Sequence, residues 1–361
     1  MLDLSKSDRY DRISVVGGRI MLFSSAGPSL EFPSTSSMCS SAVVNPATLA
    51  LSDMRRKSCA DPAVFGRSVI PAISIDKGLP ASGGGPSAVV RIAHVTPGSP
   101  GYALGPIVMT FPALAYGETQ PRWTYGGGNL WLYDWVNRFD LLRISATSGA
   151  VLQRLEVPKI KAPLLAVDDD GLWIAPFGES SGPVYRVAPG ATKPVAAFRI
   201  RSDGFAKWLV ASGDSLWLDT QPRPVSENST IWELRGSHAK PVWHRTASKS
   251  VAAALEEETG PTGMVGDGAD GLWTAVATGL SRQEVIRMNP DSGEATREAT
   301  LATGYEQGPG SPRFPGPQSW TAALFGGSLF LLDPPVPAST GTKNEFAGFS
   351  ALYRITPNGQ P

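Results

Sequence analysis

Carboxylates are the residues of this sequence best placed to do chemistry. Glu179, Asp219 and Asp333 each come at the end of an apolar run, where a loop begins. Two such groups can share general-acid and general-base work on a hydrolysable bond, and glycoside hydrolysis asks for a separation of about 5 to 9.5 Å. A second pattern sets aromatics beside charges: Asp134, Trp135 and Arg138 in one stretch, Arg223 and Glu256 in others, and Tyr305, Arg313 and Phe314 in another. An aromatic face with a neighbouring charge suits a peptide or a sugar ring, since the ring gives area at low entropic cost and the charge fixes orientation.

Other chemistries have less to draw on. No Ser, Thr or Cys has a His or Lys placed by the sequence pattern to activate it as a nucleophile. The runs "DDDG" at 168–171 and "DGADG" at 267–271 hold several carboxylates. Neither has the full ligand spacing of a calcium loop, so both are expected to be turns, and no metal is expected. Cys39 and Cys59 lie 20 residues apart with no His or Cys close by, which leaves open one disulfide or two separate buried thiols. A bridge would imply export, although "LDLSKSDRYD" after Met1 lacks the basic-then-apolar order of a signal peptide.

Charge and composition narrow the partners. Among 361 residues, 32 Lys and Arg balance 32 Asp and Glu, and no basic run accumulates. Nucleic acid and anionic membranes are therefore not expected partners. No segment reaches the ~18 apolar residues of a bilayer span, so direct membrane insertion is not expected either. Gly 39 and Pro 32 suit many short strands and many turns.

Internal repeats supply the elements that must position these residues. A Gly or Asp, a small residue, an aliphatic and a large apolar residue recur in "GRIM", "GNLW", "DGLW", "DSLW", "DGLW" and "GSLF", ending at Met21, Trp131, Trp173, Trp217, Trp273 and Phe330. The gaps are 110, 42, 44, 56 and 57 residues. The gap of 110 is two units, and "GRSVI" ending at Ile70 supplies the seventh. Each unit reads as an apolar strand, a tight turn, the "LW" strand, a variable loop, a third strand that commonly ends in a hydrophobic-Arg pair, a short turn and a fourth strand. Asn-Pro, Ser-Gly and Asn-Gly after the third strands serve the hairpin to the fourth.

Four strands in about 50 residues, repeated, is a propeller blade. The expectation is an all-β, seven-bladed β-propeller with four antiparallel strands per blade, forming one domain over residues 1–361. The last unit stops after its third strand at "LYRITPNGQP", and "MLDLSK" resembles the fourth strand "ATLALSD". The N-terminal strand is therefore expected to complete the last blade beside residues 351–355 and close the ring.

The repeat grammar resembles the broad group of seven-bladed propellers that includes YVTN-repeat, quinoprotein-like and streptogramin lyase-like proteins. Lyase-like members imply His and Glu with a divalent metal on the long-loop face. Here the alignment puts His94 at the end of a third strand, His238 in a hairpin and His244 in a fourth strand, none on that face. No ligand set for a quinone is visible, and no cofactor is expected.

Loop length sorts the two faces of such a fold. The long segments 24–37, 220–229, 247–262, 302–319 and 333–350 emerge on the side where second strands lead to third strands and blade leads to blade. Binding groups gather on elaborated loops held by a rigid scaffold, so Asp134, Trp135, Arg138, Glu179, Asp219, Arg223, Tyr305, Arg313, Phe314 and Asp333 are the candidate ligand contacts. Trp123, Trp208 and Trp320 fall near the starts of first strands, where they pack between blades or line a pocket mouth. The reading is a monomeric, non-catalytic module that binds a protein, peptide or glycan, in an extracellular or cell-envelope setting, with the cytoplasm as the alternative. The alternative is a propeller hydrolase or lyase using loop carboxylates of the same face.

Overall fold

The computed structural model describes residues 2–3, 10, 12–24, 38–58, 69–80, 86–95, 102–112, 122–246, 261–302, 321–333 and 351–357, apart from gaps at 17, 136–137, 162, 170, 177–180, 202–203, 223–227, 236–237, 270, 280–281, 290 and 293. Among these residues there is no helix, and the strands form antiparallel sheets. The first are β1 (Leu2–Asp3), β2 (Arg12–Val16), β3 (Arg19–Ser24), β4 (Met38–Val44) and β5 (Leu51–Ser58). Next come β6 (Val69–Pro80), β7 (Pro86–Val95), β8 (Tyr102–Pro112), β9 (Arg122–Gly126), β10 (Asn129–Asp134), β11 (Asp140–Ser145) and β12 (Val151–Glu156). Then follow β13 (Leu164–Asp168), β14 (Gly171–Ala175), β15 (Ser181–Val187), β16 (Val195–Arg201), β17 (Gly204–Ser212), β18 (Ser215–Pro222), β19 (Asn228–Arg235) and β20 (His238–Thr246). The last are β21 (Pro261–Gly266), β22 (Leu272–Gly279), β23 (Arg282–Met288), β24 (Ala295–Ala302), β25 (Thr321–Phe325), β26 (Ser328–Asp333) and β27 (Ala351–Ile355).

Consecutive strands pair in runs of four: β2 to β5, β9 to β12, β13 to β16, β17 to β20 and β21 to β24. Among the described residues β6 to β8 form a sheet of three. The sheet β25-β26-β27 takes its fourth strand from β1, with Leu2 opposite Leu352 and Asp3 opposite Ala351.

Turn chemistry explains why the chain reverses where it does. Gly127 and Gly128 have φ of 55° and 70°, as do Gly326 and Gly327 at 56° and 73°, the pair of positive values that a two-residue hairpin needs. After the third strands one hairpin recurs. Asn45 Oδ1 accepts from Ala47 N and Thr48 N, Ser145 Oγ from Thr147 N and Ser148 N, and Asn289 Oδ1 from Asp291 N and Ser292 N. In each, the side chain at the head of the turn satisfies two backbone donors that no strand partner reaches.

The chain divides into two compact units. One holds the β17–β20, β21–β24 and β25–β27 sheets and most of β2–β5; in it the first strands β17, β21, β25 and β2 lie side by side in that order. Its cores are layered between successive sheets. Trp217 and Ile231 pack with Leu272 and Met288, Trp273 with Leu329 and Tyr353, and Phe330 and Leu352 with Ile13 and Leu22. The other unit holds the sheets from β6 to β16, with β9 beside β13. There Leu130 and Leu132 pack with Val69 and Val90, and Trp131 and Tyr133 with Leu172 and Ile174. Second strands are the most buried in both units, as in β14, where every residue is buried, whereas the outer β12 is mostly exposed.

Candidate functional site

Trp131, Trp217, Trp273 and Phe330, at the recurrent large apolar position of their second strands, pack toward the following sheet, and on each second strand the residue two beyond that position shares its face. Those second positions are Phe23, Tyr133, Ala175, Asp219, Ala275 and Leu332, and all are buried. Five are apolar or aromatic and one is a carboxylate. Asp219 is 0% exposed. It lies opposite Trp208 on β17 and Ile231 on β19, and Ile231 and Trp217 on the same face pack against the β21–β24 sheet.

Around Asp219 the polar groups are held in place. Trp232 Nε1 donates to Thr220 Oγ1 at 2.9 Å, and Thr220 Oγ1 donates to the Thr230 carbonyl at 3.4 Å. Glu233, buried on the Asp219 face across from Trp217, accepts from Ser215 Oγ at 3.0 Å. Facing this side from the next sheet is buried Thr274, between Leu272, which packs with Trp217, and Val276. On the first strand the register shifts between Ala206, opposite Thr220, and Trp208, opposite Asp219, so Lys207 is the additional residue of a β-bulge. Bulges re-aim side chains and concentrate near active sites.

Asp134, last residue of β10, is buried rather than displayed on a loop; its Oδ2 accepts from Arg138 N at 3.3 Å. Between them Trp135 is half-buried, packed against the Trp131 and Tyr133 cluster, and Arg138 is exposed. The adjacent Tyr133 hydroxyl donates to the Pro158 carbonyl at 2.6 Å, and burial pushes its pKa well above the ordinary tyrosine value. Asp134 belongs to one unit and Asp219 to the other. Asp333 ends β26 opposite Ala351, and the β21–β24 sheet stands between its sheet and that of Asp219.

Glu179, Arg223, Glu256, Tyr305, Arg313, Phe314, Trp320 and Cys59 fall outside the described residues, and Cys39 is placed only as a backbone position in β4. His94 lies near the end of β7, His238 opens β20 and His244 lies within β20, opposite Thr230. Trp123 packs half-buried against the Leu130 cluster, and Trp208 sits mid-strand in β17.

The two acidic turns are occupied by their own chain. Asp168 Oδ2 accepts from Trp173 Nε1 at 2.5 Å. Asp267 Oδ1 accepts from Ala269 N and Gly271 N, each at 2.8 Å, and Oδ2 pairs with Arg287 at 3.3 Å. Among the described residues no three His, Cys, Asp or Glu converge as metal ligands. Loop length directed attention to exposed charges and passed over Lys207, Glu233 and Thr274. The signal that finds them is the column of equivalent positions, where a carboxylate replaces apolar residues.

No protein-family model and no curated protein matches the chain. Solved structures do. A "putative 6-phosphogluconolactonase" from Bacteroides uniformis matches at 11% identity and a TM-score of 0.51, over 92% of this chain and 95% of that one. The acylaminoacyl peptidase of Pyrococcus horikoshii matches at 10% identity and a TM-score of 0.51, over 97% of this chain; the chain spans 52% of the peptidase. At these identities the likeness speaks for fold, and with the antiparallel sheets it makes this a propeller-like all-β protein. The expectation of a non-catalytic binding module is corrected here: the Bacteroides match, covered over nearly its whole length, carries the name of an enzyme, which fits the catalytic alternative better.

Proposed function

We propose that this chain is a propeller-like hydrolase of ester-type bonds, cyclic esters included, in which the Asp219 carboxylate is the general base. One observation carries the reading: at a position where the repeat elsewhere places Phe23, Tyr133, Ala175, Ala275 and Leu332, this sheet buries a carboxylate completely. Burying a charge where a hydrocarbon would serve the fold costs stability, and such exceptions to a local rule gather at functional sites. The printed name of the Bacteroides protein, a lactonase matched over 95% of its length, favours an acyl carbon as the reaction centre.

The chemistry asked of Asp219 is modest. Its carboxylate takes a proton from water as the water oxygen bonds to the acyl carbon. The proton then goes to the departing alkoxide as the acyl–oxygen bond breaks, leaving an acid and an alcohol. The test is an assay with δ-gluconolactone and p-nitrophenyl acetate, set beside p-nitrophenyl glycosides. Turnover of the lactone or the acetate is expected, falling about 100-fold or more in Asp219→Asn while the thermal midpoint holds. Absence of turnover in the parent, or full activity in the variant, overturns the assignment.

The finer architecture belongs to the same proposal. The seven sheets are read as blades of one ring, closed where β1 pairs with β27. X-ray scattering should then give a radius of gyration of about 21 Å for 361 residues. A markedly larger value, as for two separated bodies, would count against it.

A further inference from the structure

We propose that the row of side chains Thr124, Trp131, Arg143 and Gln153 binds a small 2-hydroxycarboxylate. The inference does not depend on the hydrolase reading. Cross-strand register sets the four side by side: Trp131 lies opposite Thr124 and Arg143, and Arg143 lies opposite Gln153. Residues directly opposite one another share a face of the sheet. Three polar atoms of this row, Trp131 Nε1, Arg143 Nε and Gln153 Oε1, are buried and have no hydrogen-bond partner among the described residues. Buried polar groups left unpaired are costly and rare, so three in one row point to a ligand. Reversing the Gln153 amide is no remedy, because its Nε2 donates to the Ala191 carbonyl and its oxygen would then face that carbonyl.

The repeat shows which chemistry these atoms ask for. In two other sheets the first hairpin closes on an aspartate that serves the same Trp–Arg pair. Asp168, opposite Gly171, accepts from Trp173 Nε1, and Asp267, whose N donates to the Gly271 carbonyl, pairs with Arg287. The corresponding residue beside Trp131 is Gly126, opposite Asn129. A side chain there is blocked, since a Cβ on Gly126 would overlap Val167 of the next sheet. A carboxylate from outside the chain can accept from Trp131 Nε1 and Arg143 Nε, and its charge complements the guanidinium. Gln153 Oε1 asks for the opposite, a donor. A hydroxyl beside the carboxylate supplies one, whereas a simple carboxylate or a halide brings none. Trp131 is 1% exposed, but Thr124, Arg143 and Gln153 are half-buried, so the row meets solvent beside the tryptophan rather than over it.

The probes are sodium glycolate, acetate and chloride at matched ionic strength. The indole N–H resonance of Trp131, assigned by its loss in Trp131→Phe, should shift saturably with glycolate, and acetate should bind about 3- to 10-fold more weakly. Chloride should produce no saturable shift. Glycolate should also raise the thermal midpoint of the parent protein, as any ligand of the folded state does. Arg143→Leu should weaken glycolate about tenfold or more, and Gln153→Leu should remove its advantage over acetate. Arg143→Lys, which keeps the charge and loses the Nε–H, gives the comparison should the leucine variant not fold. An equal response to all three salts, or none, overturns the site and leaves the three groups to water alone. Acetate bound as tightly as glycolate overturns the hydroxy-acid assignment. Neither readout involves turnover, so failure of the hydrolase assay leaves this assignment standing.

Discussion

The guanidinium carbon of Arg186 lies 5.0 Å from the centre of the Trp173 ring, directly across the β14–β15 ladder. The same cross-strand pair recurs with Arg143 at 6.0 Å from Trp131 and Arg287 at 5.8 Å from Trp273. Opposite Trp217 the arginine is replaced by Glu233, bonded to Ser215. The hydrophobic-Arg pair of the third strand thus has a cause: its arginine covers the ring that anchors the second strand.

Arg186→Met should lower stability by about 0.5 to 1 kcal/mol, because the stem's packing survives and the cation over the ring does not. A urea-unfolding cycle with Trp173→Leu should return a coupling of similar size. Strict additivity would mean that the two side chains merely sit close.

Gly171 stands at φ 142°, and a Cβ on it would meet the Val187 carbonyl oxygen at 2.2 Å. Since the obstacle is backbone on a paired strand, Gly171→Ala should cost at least ~2 kcal/mol. Gly190, with φ 80° and open space around it, should lose only about 1 kcal/mol on the same change. Equal losses at both sites, by chemical denaturation, would refute the steric argument.

Tyr133 couples folding to alkaline pH. Burial raises its pKa in the folded state, so the folded chain holds the phenolic proton more tightly than the unfolded chain does. The contribution is complete below the unfolded value of about 10 and is lost as pH rises from there through the raised folded value. Unfolding free energy measured upward from about pH 9 should show a decline that Tyr133→Phe flattens. At neutral pH the variant should lose about 1 kcal/mol with its hydrogen bond to Pro158.

Removal of residues 1–3 should expose one edge of β27, where Ala351 and Leu352 pair with Asp3 and Leu2. Two residues of pairing are a small loss, about 1 to 2 kcal/mol by hydrogen bonds alone. Leu352→Ala removes a fully buried side chain from the cluster with Phe330 and Ile13 and should cost about 2 to 5 kcal/mol. Hydrogen exchange along β27 should quicken in the first variant and leave β26 protected; unchanged exchange would show that the pairing carries no weight.

Much of this was legible in the order of residues. The recurring Gly or Asp before Leu-Trp located the second strands, and the Asn or Ser heading "NPATLA", "SATSGA" and "NPDSGE" located one hairpin three times. These signals are local, since a turn is decided by the few residues within it. The candidate site was legible only in part. Asp134 and Asp219 read as loop charges because turn-formers follow soon after them, whereas pairing carries β10 to Asp134 and β18 to Pro222, and both carboxylates are buried. Lys207 was missed because "GFAKWLVAS" reads as a regular strand. A bulge is defined by what lies opposite, and the partner strand is no part of a local pattern.

The short strand β1 has a consequence for how the molecule is made. Its pairing joins Leu2 to Leu352, residues at opposite ends of the series of sheets. Every other described pairing joins strands that are neighbours in the chain, but this one brings together strands separated by all the others, with the loop-closure entropy that so distant a contact demands. Until β1 pairs, the β25–β27 sheet is uncompleted, and that interval is when a foreign strand has its best opportunity to add to it.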